Sequence, residues 1–325
     1  MRLAVLLGAA ISLSVQAAEN GNGSPDRPEV QAFIASMAER HGFDLRALGQ
    51  TLAGARFQPA IVRAITAPST ARPWSEFRPI FVNAQRIGRG IEFWDENHSV
   101  LERAEMQYGV PAEVIVAVIG VETHYGTRMG SHRVLDALYT LAFDYPQRAD
   151  FFRGELEHFL LFSRANGSDP GSPLGSYAGA MGIPQFMPSS VRSYAVDFDG
   201  DGHLDLWQNK ADSIGSVAHY LSSFGWRAGE PVMVRAEVTG DAIEALVAEG
   251  YKPRRRVDEL VAMGVNPLEP VPGDRMAALI RLQGADGPEC WVVLENFYAI
   301  TRYNRSQNYA TAVHQLSQEI RALRP

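Results

Sequence analysis

The sequence predicts an α+β protein that is mainly helical and contains a small inserted unit rich in β structure. Apolar residues recur every three or four positions over most of the chain before residue 230, which is the period of amphipathic helices. Beyond Gly229 the period becomes two, as in a half-buried strand. Within the first of these regions, residues 110–126 (VPAEVIVAVIGVETHYG) are an almost unbroken apolar run that ends in a single acid. With 325 residues and 46% hydrophobic content, the chain can bury the core of two or three substructures.

The first 18 residues are typical of an export signal. They contain one basic residue, a short apolar stretch and a small-x-small ending at Val15 and Ala17, so we expect cleavage after Ala17 or Ala18. No later segment is apolar and long enough to suggest a membrane span. A lipoprotein signal requires a cysteine at the cleavage point, but the only cysteine is Cys290. We therefore expect a soluble exported protein without an internal disulfide, in which Cys290 is a buried small hydrophobe.

A polar leader follows, and helical patterns then dominate the chain as far as residue 230. We predict an N-terminal α-helical domain over residues 19–75 and a core over 76–230. The predicted helices are 28–40, 45–54 and 59–65, then one long helix over 86–108, and beyond the apolar run 134–143, 149–165 and 213–224.

The apolar run at 110–126 predicts a fully buried helix. Pro111 suits its first position, no polar face is present, and Gly126 is a plausible end. Glu122 follows Ile119 by three residues and Val118 by four, so it shares their buried face. Burial disfavours the ionised form and raises the pKa of a carboxyl group, as a general acid requires near neutral pH. The alternative is a structural acid at a helix end, satisfied by neighbouring donors.

Residues 166–182 are rich in Gly, Ser, Pro and Asn, which is typical of a loop that approaches a ligand closely. The segment 197–208 (DFDGDGHLDLWQ) then has the ligand alternation of an EF-hand-like Ca²⁺ loop, with a turn glycine at position six. Gln208 replaces the usual Glu at position twelve, so another acid must complete the coordination shell of the ion. The predicted ligands are Asp197, Asp199, Asp201, His203 through its carbonyl, and Asp212.

Whether Asp205 or Gln208 also joins this shell stays open. The predicted Ca²⁺ is structural, because loop oxygens would occupy its whole coordination sphere. The alternative is an acidic, solvated turn without metal.

A β-rich domain is predicted over residues 231–290, followed by a return to the core over 291–325. Residues 232–238 alternate as a strand, and 277–283 can pair with 289–294 around GADGP in a hairpin. The chain then closes with an amphipathic helix whose apolar positions are Val313, Leu316, Ile320 and Leu323.

The composition excludes one class of partner. The formal charge of −7 and the pI near 5.7 disfavour a nucleic acid, which requires a basic face. The basic run at 254–256 is interpreted as a solvated surface, with a local contact to an anionic polymer as the alternative.

Aromatic and amide side chains gather in two regions that suit a polysaccharide groove, since sugar rings stack on aromatics and their hydroxyl groups bond to amides. The alternative is that these aromatics are core residues. The two sets are Tyr177, Met181, Gln185, Phe186 and Met187, and Tyr298, Tyr303, Asn304, Asn308 and Tyr309.

Four motifs in their order and spacing resemble the B family of bacterial lytic transglycosylases. They are GVETHYG at 120–126, SYAGAMGIPQFMPSS at 176–190, the Ca²⁺-like loop, and NFYAITRYN at 296–304. The resemblance covers nearly all of the mature chain. It implies a lysozyme-like catalytic core over 76–230, with an EF-hand-like loop at 197–212. It also implies cleavage of peptidoglycan between N-acetylmuramic acid and N-acetylglucosamine.

The resemblance assigns the catalytic acid to Glu122 and the sugar subsites to Ser176, Gln185, Tyr303, Asn304 and Tyr309. Three departures concern the groove: Phe77 stands where a Tyr is expected, His124-Tyr125 replace Arg-Trp, and Ile183-Pro184 interrupt a Tyr-Gly. Without a signal cysteine, the chain resembles the soluble periplasmic members of the family. The resemblance also implies that peptidoglycan strands are the partner and that catalysis uses no cofactor.

The resemblance implies that Glu122 protonates the glycosidic oxygen and then accepts the C6 hydroxyl proton, which yields a 1,6-anhydromuramoyl end. Outside the Ca²⁺-like loop, the motifs contain no second acid, although ordinary glycosidases use two carboxylates. One alternative is a lysozyme-type muramidase, a hydrolase in which an acid such as Asp144 activates water. The other is a non-catalytic, calcium-stabilised peptidoglycan-binding protein. Exo or endo cleavage, stem-peptide preference, oligomeric state and protein partners stay open.

Overall fold

The computed structural model describes residues 26–67 and 72–324, so the predicted export signal lies outside the described residues. These ranges contain fifteen α-helices: α1 Pro28–His41, α2 Leu45–Ala53, α3 Pro59–Thr66, α4 Trp74–Phe81, α5 Ala84–Glu96, α6 His98–Tyr108, α7 Ala112–Thr123, α8 Val134–Asp144, α9 Ala149–Ala165, α10 Pro188–Tyr194, α11 Lys210–Ser223, α12 Ile243–Ala248, α13 Val257–Ala262, α14 Glu295–Tyr303 and α15 Gln307–Leu323. The strands are β1 His132–Arg133, β2 Leu174–Gly175, β3 Met233–Val238, β4 Arg255–Arg256, β5 Val265–Pro267, β6 Met276–Gly284 and β7 Gly287–Val293.

Helix α7 lies at the centre of the helical core, as its sequence predicts. Every residue from Val114 to Val121 is buried, and α5, α6, α11 and α15 pack around the helix. The predicted end at Gly126 is wrong. The helix ends at Thr123, and His124, Tyr125 and Gly126 are all left-handed, with φ of 51°, 60° and 83°. Because side chains rarely adopt this conformation, the surrounding contacts must hold the turn.

The predicted single helix over 86–108 is also wrong, because the chain breaks into α5 and α6 at Asn97. This side chain is 9% exposed, and its Nδ2 donates to the carbonyl of Phe93 at 2.7 Å. An Asn that bonds locally to the backbone competes with helix continuation, which explains the break. A pattern of apolar spacing does not reveal this competition.

The β-rich unit is one antiparallel five-stranded sheet in the order β4-β6-β7-β3-β5. The predicted hairpin is confirmed with a shorter loop, since Gly284 pairs with Gly287 around two turn residues. Cys290 lies in the small core of this sheet, 8% exposed, as expected for a small hydrophobe.

The N-terminal helices are tied to the central core by specific hydrogen bonds. The backbone N–H of Arg56 donates to the buried carboxylate of Asp136 at 2.9 Å, and that of Gln58 donates to Thr140 Oγ1 at 3.0 Å. These bonds fix the chain around α3 against α8.

Among the described helices, none is by itself long and apolar enough to cross a membrane. The pair His98–Tyr108 and Ala112–Thr123, bent by 112°, meets the length and composition requirements together, and core helices of soluble proteins meet them as well.

Candidate active site

Glu122 lies in the last turn of α7 with its side chain half-buried. Burial raises the pKa of this carboxyl group to about 7, and a hydrogen bond from Tyr309 opposes part of the rise. The Tyr309 hydroxyl donates to Glu122 Oε1 at 2.5 Å. In the described ranges, Oε2 has no hydrogen-bond partner, so it is the oxygen left for a ligand. Near neutral pH the group is therefore poised between its protonated and ionised forms.

Three tyrosines from separate helices lie close to this carboxyl group. Burial first, and then the charge of Glu122 among other causes, raises the pKa of Tyr220, Tyr303 and Tyr309. All three phenols therefore stay protonated at neutral pH and act as donors. The Tyr303 hydroxyl donates to the carbonyl of Pro184 and the Tyr220 hydroxyl to that of Arg302, both at 2.6 Å.

Tyr303 and Tyr309, both predicted for the groove, stack with ring centroids 6.5 Å apart. The sequence reasoning missed Tyr220. It lies in α11 among apolar positions, where a tyrosine resembles a core residue, and the sequence offers no local signal to distinguish it.

In the glycine-rich loop, the side chains of Ser176 and Gln185 form hydrogen bonds with backbone groups and so stabilise the loop. The Ser176 hydroxyl oxygen accepts from the N–H groups of Ala178 and Ala180 at 3.2 and 3.0 Å. Gln185 has φ of 52°, and its Nε2 donates to the carbonyls of Met129 at 3.0 Å and Gly182 at 2.8 Å. The hydroxyl proton of Ser176 and the Oε1 atom of Gln185 are therefore left to bond to a ligand.

The other groove candidates differ in exposure. Asn304 is exposed at the end of α14, while Phe77 is half-buried, with its ring centroid 4.9 Å from that of Phe81. Phe186 and Met181, at 2% and 0% exposure, are core residues, as the alternative interpretation held.

The turn after Glu122 is held from two sides. The Thr123 hydroxyl donates to the carbonyl of Ile183 at 2.9 Å, which joins α7 to the glycine-rich loop. From α5, Arg86 Nη1 donates to the carbonyl of Gly120 at 2.6 Å, and the Tyr125 hydroxyl donates back to the carbonyl of Arg86 at 2.8 Å. Gly120 is required here, since a Cβ would lie 2.6 Å from the Tyr125 oxygen.

Asp144, the acid considered for a hydrolase, has another role. Its carboxylate pairs with Arg27 at 2.9 Å, which joins the start of α1 to the end of α8. The two causes of the Glu122 shift are burial and Tyr309, and they include no acid from the described ranges. The paired carboxylates of an ordinary glycosidase are thus not found among the described residues.

Three of the predicted metal ligands come together in the Ca²⁺-like loop. Asp197, Asp199 and Asp212 each offer a carboxylate oxygen within 4.8 Å of the others. Asp212 is fully buried and oriented by the N–H groups of Phe198 and Asp205, each at 2.8 Å. Burial first, and also the charges of Asp199 and Asp197, raise the pKa of Asp212.

Asp201 and His203 are exposed and lie outside this group of three. The Asp205 carboxylate accepts from the N–H groups of Trp207 and Gln208 at 2.8 and 3.1 Å, so it supports the following turn. The oxygen-only donor set suits Ca²⁺.

A mainly helical core with a half-buried acid that accepts a hydrogen bond from a tyrosine suits a lysozyme-like enzyme acting on glycans. The family model described as the transglycosylase SLT domain matches residues 25–318. The chain is 43% identical to the membrane-bound lytic murein transglycosylase B of Escherichia coli K12, over 92% of this chain and 84% of that protein.

Two solved structures agree closely. The soluble lytic transglycosylase SltB1 of Pseudomonas aeruginosa has 49% identity and a TM-score of 0.88, with 91% of this chain and 99% of that chain covered. The E. coli lytic transglycosylase Slt35 in complex with calcium has 42% identity and a TM-score of 0.85, with 94% and 96% covered. The chain belongs to the transglycosylase SLT domain family and is a lytic transglycosylase. The predicted mainly helical, lysozyme-like fold class is thereby confirmed.

Proposed function

We propose that the enzyme cleaves the β-1,4 bond between N-acetylmuramic acid and N-acetylglucosamine in peptidoglycan and releases 1,6-anhydromuramoyl products. The observation that supports this most directly is the single carboxyl group of Glu122 with a pKa of about 7. One group with this pKa can serve as acid and then as base, so no second carboxylate is required.

The proposed reaction consumes no water, because the C6 hydroxyl of the substrate is the nucleophile. Protonated Glu122 donates its proton to the glycosidic oxygen as the C1–O bond breaks, and the bonding electrons leave with that oxygen. The resulting carboxylate then accepts the proton of the muramoyl C6 hydroxyl, whose oxygen forms the new bond to C1. The 2-acetamido group stabilises the electron-poor C1 between these steps, as in substrate-assisted glycosidases.

Tyr309 is proposed to direct this chemistry to one oxygen. Because its hydroxyl donates to Oε1, the exchangeable proton of Glu122 resides on Oε2. Ser176, Gln185, Tyr303 and Asn304 are proposed to line the sugar subsites, as the resemblance implies.

We also propose that Ca²⁺ binds the EF-hand-like loop in a structural role, with Asp197, Asp199 and Asp212 as ligands and Asp201 and His203 completing the shell. The convergence of the first three acids and the mutual repulsion expressed in the Asp212 pKa support this assignment, since a cation would offset that repulsion. When bound, the ion would stabilise the loop rather than take part in the reaction.

Periplasmic location after removal of residues 1–18 is part of the proposal, as is the division into domains at residues 75, 230 and 290. Peptidoglycan strands are the proposed partner.

Digestion of purified sacculi followed by mass analysis of the released muropeptides tests the function. We expect products with anhydromuramoyl ends, which contain one water less than hydrolysis products. Glu122→Gln should keep the fold and lose turnover, because general acid or base assistance contributes about 10² to 10⁴ per role. Hydrated reducing ends would indicate a muramidase, and substantial turnover by Glu122→Gln would transfer the acid role to another residue.

A further inference from the structure

Four basic side chains lie near the end of α7 and are called the basic cluster here. Arg86 and Arg89 come from α5, and His124 and Arg128 from the turn after α7. Burial first, and then the positive charges of the three arginines, lowers the pKa of His124. Arg128 likewise contributes to lowering the pKa of Arg86, after burial as the largest cause. The four groups therefore share one electrostatic environment.

The charge of this cluster is not neutralised locally. Arg89 and Arg128 are exposed, and neither pairs with an acid anywhere in residues 26–67 and 72–324. The protein as a whole has a formal charge of −7. Positive charge that is gathered at one place without neighbouring acids attracts an anionic ligand, even though the whole protein is negatively charged.

Two nitrogen atoms in the buried half of the cluster lack a hydrogen-bond partner. Arg86 and His124 are 8% and 7% exposed. Nevertheless, Arg86 Nε and His124 Nδ1 are buried without a hydrogen-bond partner in the part of the chain that the structure describes. Because both atoms are enclosed, a ligand can reach the cluster only from its exposed side, at Arg89 and Arg128.

Two sets of contacts connect the basic cluster to residues considered for the glycan groove. On one side, the Arg86 guanidinium lies 5.0 Å from the centre of the Phe81 ring, which packs against Phe77. On the other side, Gln185 bonds to the carbonyl of Met129, the residue after Arg128. The N–H of Arg128 itself donates to the carbonyl of Thr123 at 2.9 Å. The backbone of Arg128 thus lies beside the end of α7 and one residue from a contact of Gln185.

We propose that the basic cluster binds a carboxylate of the peptidoglycan strand and so positions the strand relative to Glu122. This inference rests on the proposed function and assigns part of the substrate to residues outside the five predicted subsite positions. Arginine recognises carboxylates through parallel N–H bonds, which suits Arg89 and Arg128 at the exposed side. The carboxylate has two sources in this substrate: the lactyl group of a muramoyl residue whose peptide is removed, or the stem peptide itself.

The test combines a change in the enzyme with a change in the substrate. Arg89→Gln, Arg128→Gln and the double variant are compared with the wild type on soluble glycan strands that carry stem peptides. The same strands, with their carboxylates converted to amides by carbodiimide and ammonia, are the matched uncharged substrate. Arg46→Gln is the control variant, because Arg46 is exposed on α2 and forms no ion pair within the described ranges.

We expect KM of the double variant to rise about tenfold on the charged strands, with kcat nearly unchanged, as for lost hydrogen bonds to a charged group. On the amidated strands the variants and the wild type should have equal KM. An equal loss on the charged and the amidated strands, or no loss on any of the three substrates, would overturn the proposal. The third substrate is strands freed of stem peptides by an amidase, which bear free lactyl carboxylates: a loss confined to these strands assigns the lactyl carboxylate, and a loss confined to the charged strands with stem peptides assigns the stem peptide.

The same measurements separate this proposal from the proposed function. If the wild type releases anhydromuramoyl products from all three substrates and the variants have the same kinetic constants as the wild type, only the carboxylate-binding role of the basic cluster is refuted. A wild type without such products contradicts the function and the subsite together.

Discussion

The raised pKa of Glu122 predicts that this residue makes the folded protein less stable as pH rises. Its pKa is about 7 in the folded protein against an ordinary value of 4.5, because burial disfavours the charged form. At pH values below 4.5 the group is protonated in both states. Between 4.5 and 7 it ionises more readily in the unfolded chain, so folding loses free energy as pH rises through this window.

The magnitude follows from the two pKa values. Their difference at about 1.36 kcal/mol per pKa unit gives about 3 kcal/mol, which is lost by the time pH passes about 7. Glu122→Gln removes the ionisable group and keeps its shape. We expect the variant to match the wild type near pH 4.5 and to exceed its free energy of unfolding by about 3 kcal/mol at pH 8.

Urea unfolding of both proteins at several pH values from 4.5 to 8 measures this difference. Effects of other titrating groups cancel, because both proteins share them. Glu39→Gln is the control for a Glu→Gln change at the surface, since Glu39 is exposed on α1. A Glu122→Gln difference that stays constant across this range would refute the burial argument.

Two further predictions concern Tyr309 and the Ca²⁺ loop. Tyr309→Phe keeps the ring stack with Tyr303 but removes the donor to Glu122, so the pKa of Glu122 should rise above 7. The alkaline limb of kcat/KM against pH should therefore move upward, and an unmoved or lowered midpoint would contradict this role. Ca²⁺ should raise the melting temperature of the wild type, by mass action on the folded state, whereas Asp197→Ala with Asp199→Ala should remove the effect. Identical melting in chelator and in Ca²⁺ would leave the loop an acidic turn.

The sequence determined the features that depend on neighbours along the chain. A helix without a polar face must be buried, so the burial of α7 and the half-buried position of Glu122 could be predicted from the sequence. Alternation of period two predicted β3 and the β6–β7 hairpin for the same reason. The spacing of the loop acids likewise predicted a cluster, because three of them belong to one tight turn or to the helix that follows it.

The tertiary structure decided what depends on residues far apart in sequence. The Glu122–Tyr309 hydrogen bond spans 187 positions, and the ion pair that occupies Asp144 spans 117. Tyr220 joins the site only because whole helices pack around α7, and no local pattern encodes that packing. The pKa of Glu122 is set by the same packing, since burial is a property of the assembled core rather than of any single segment.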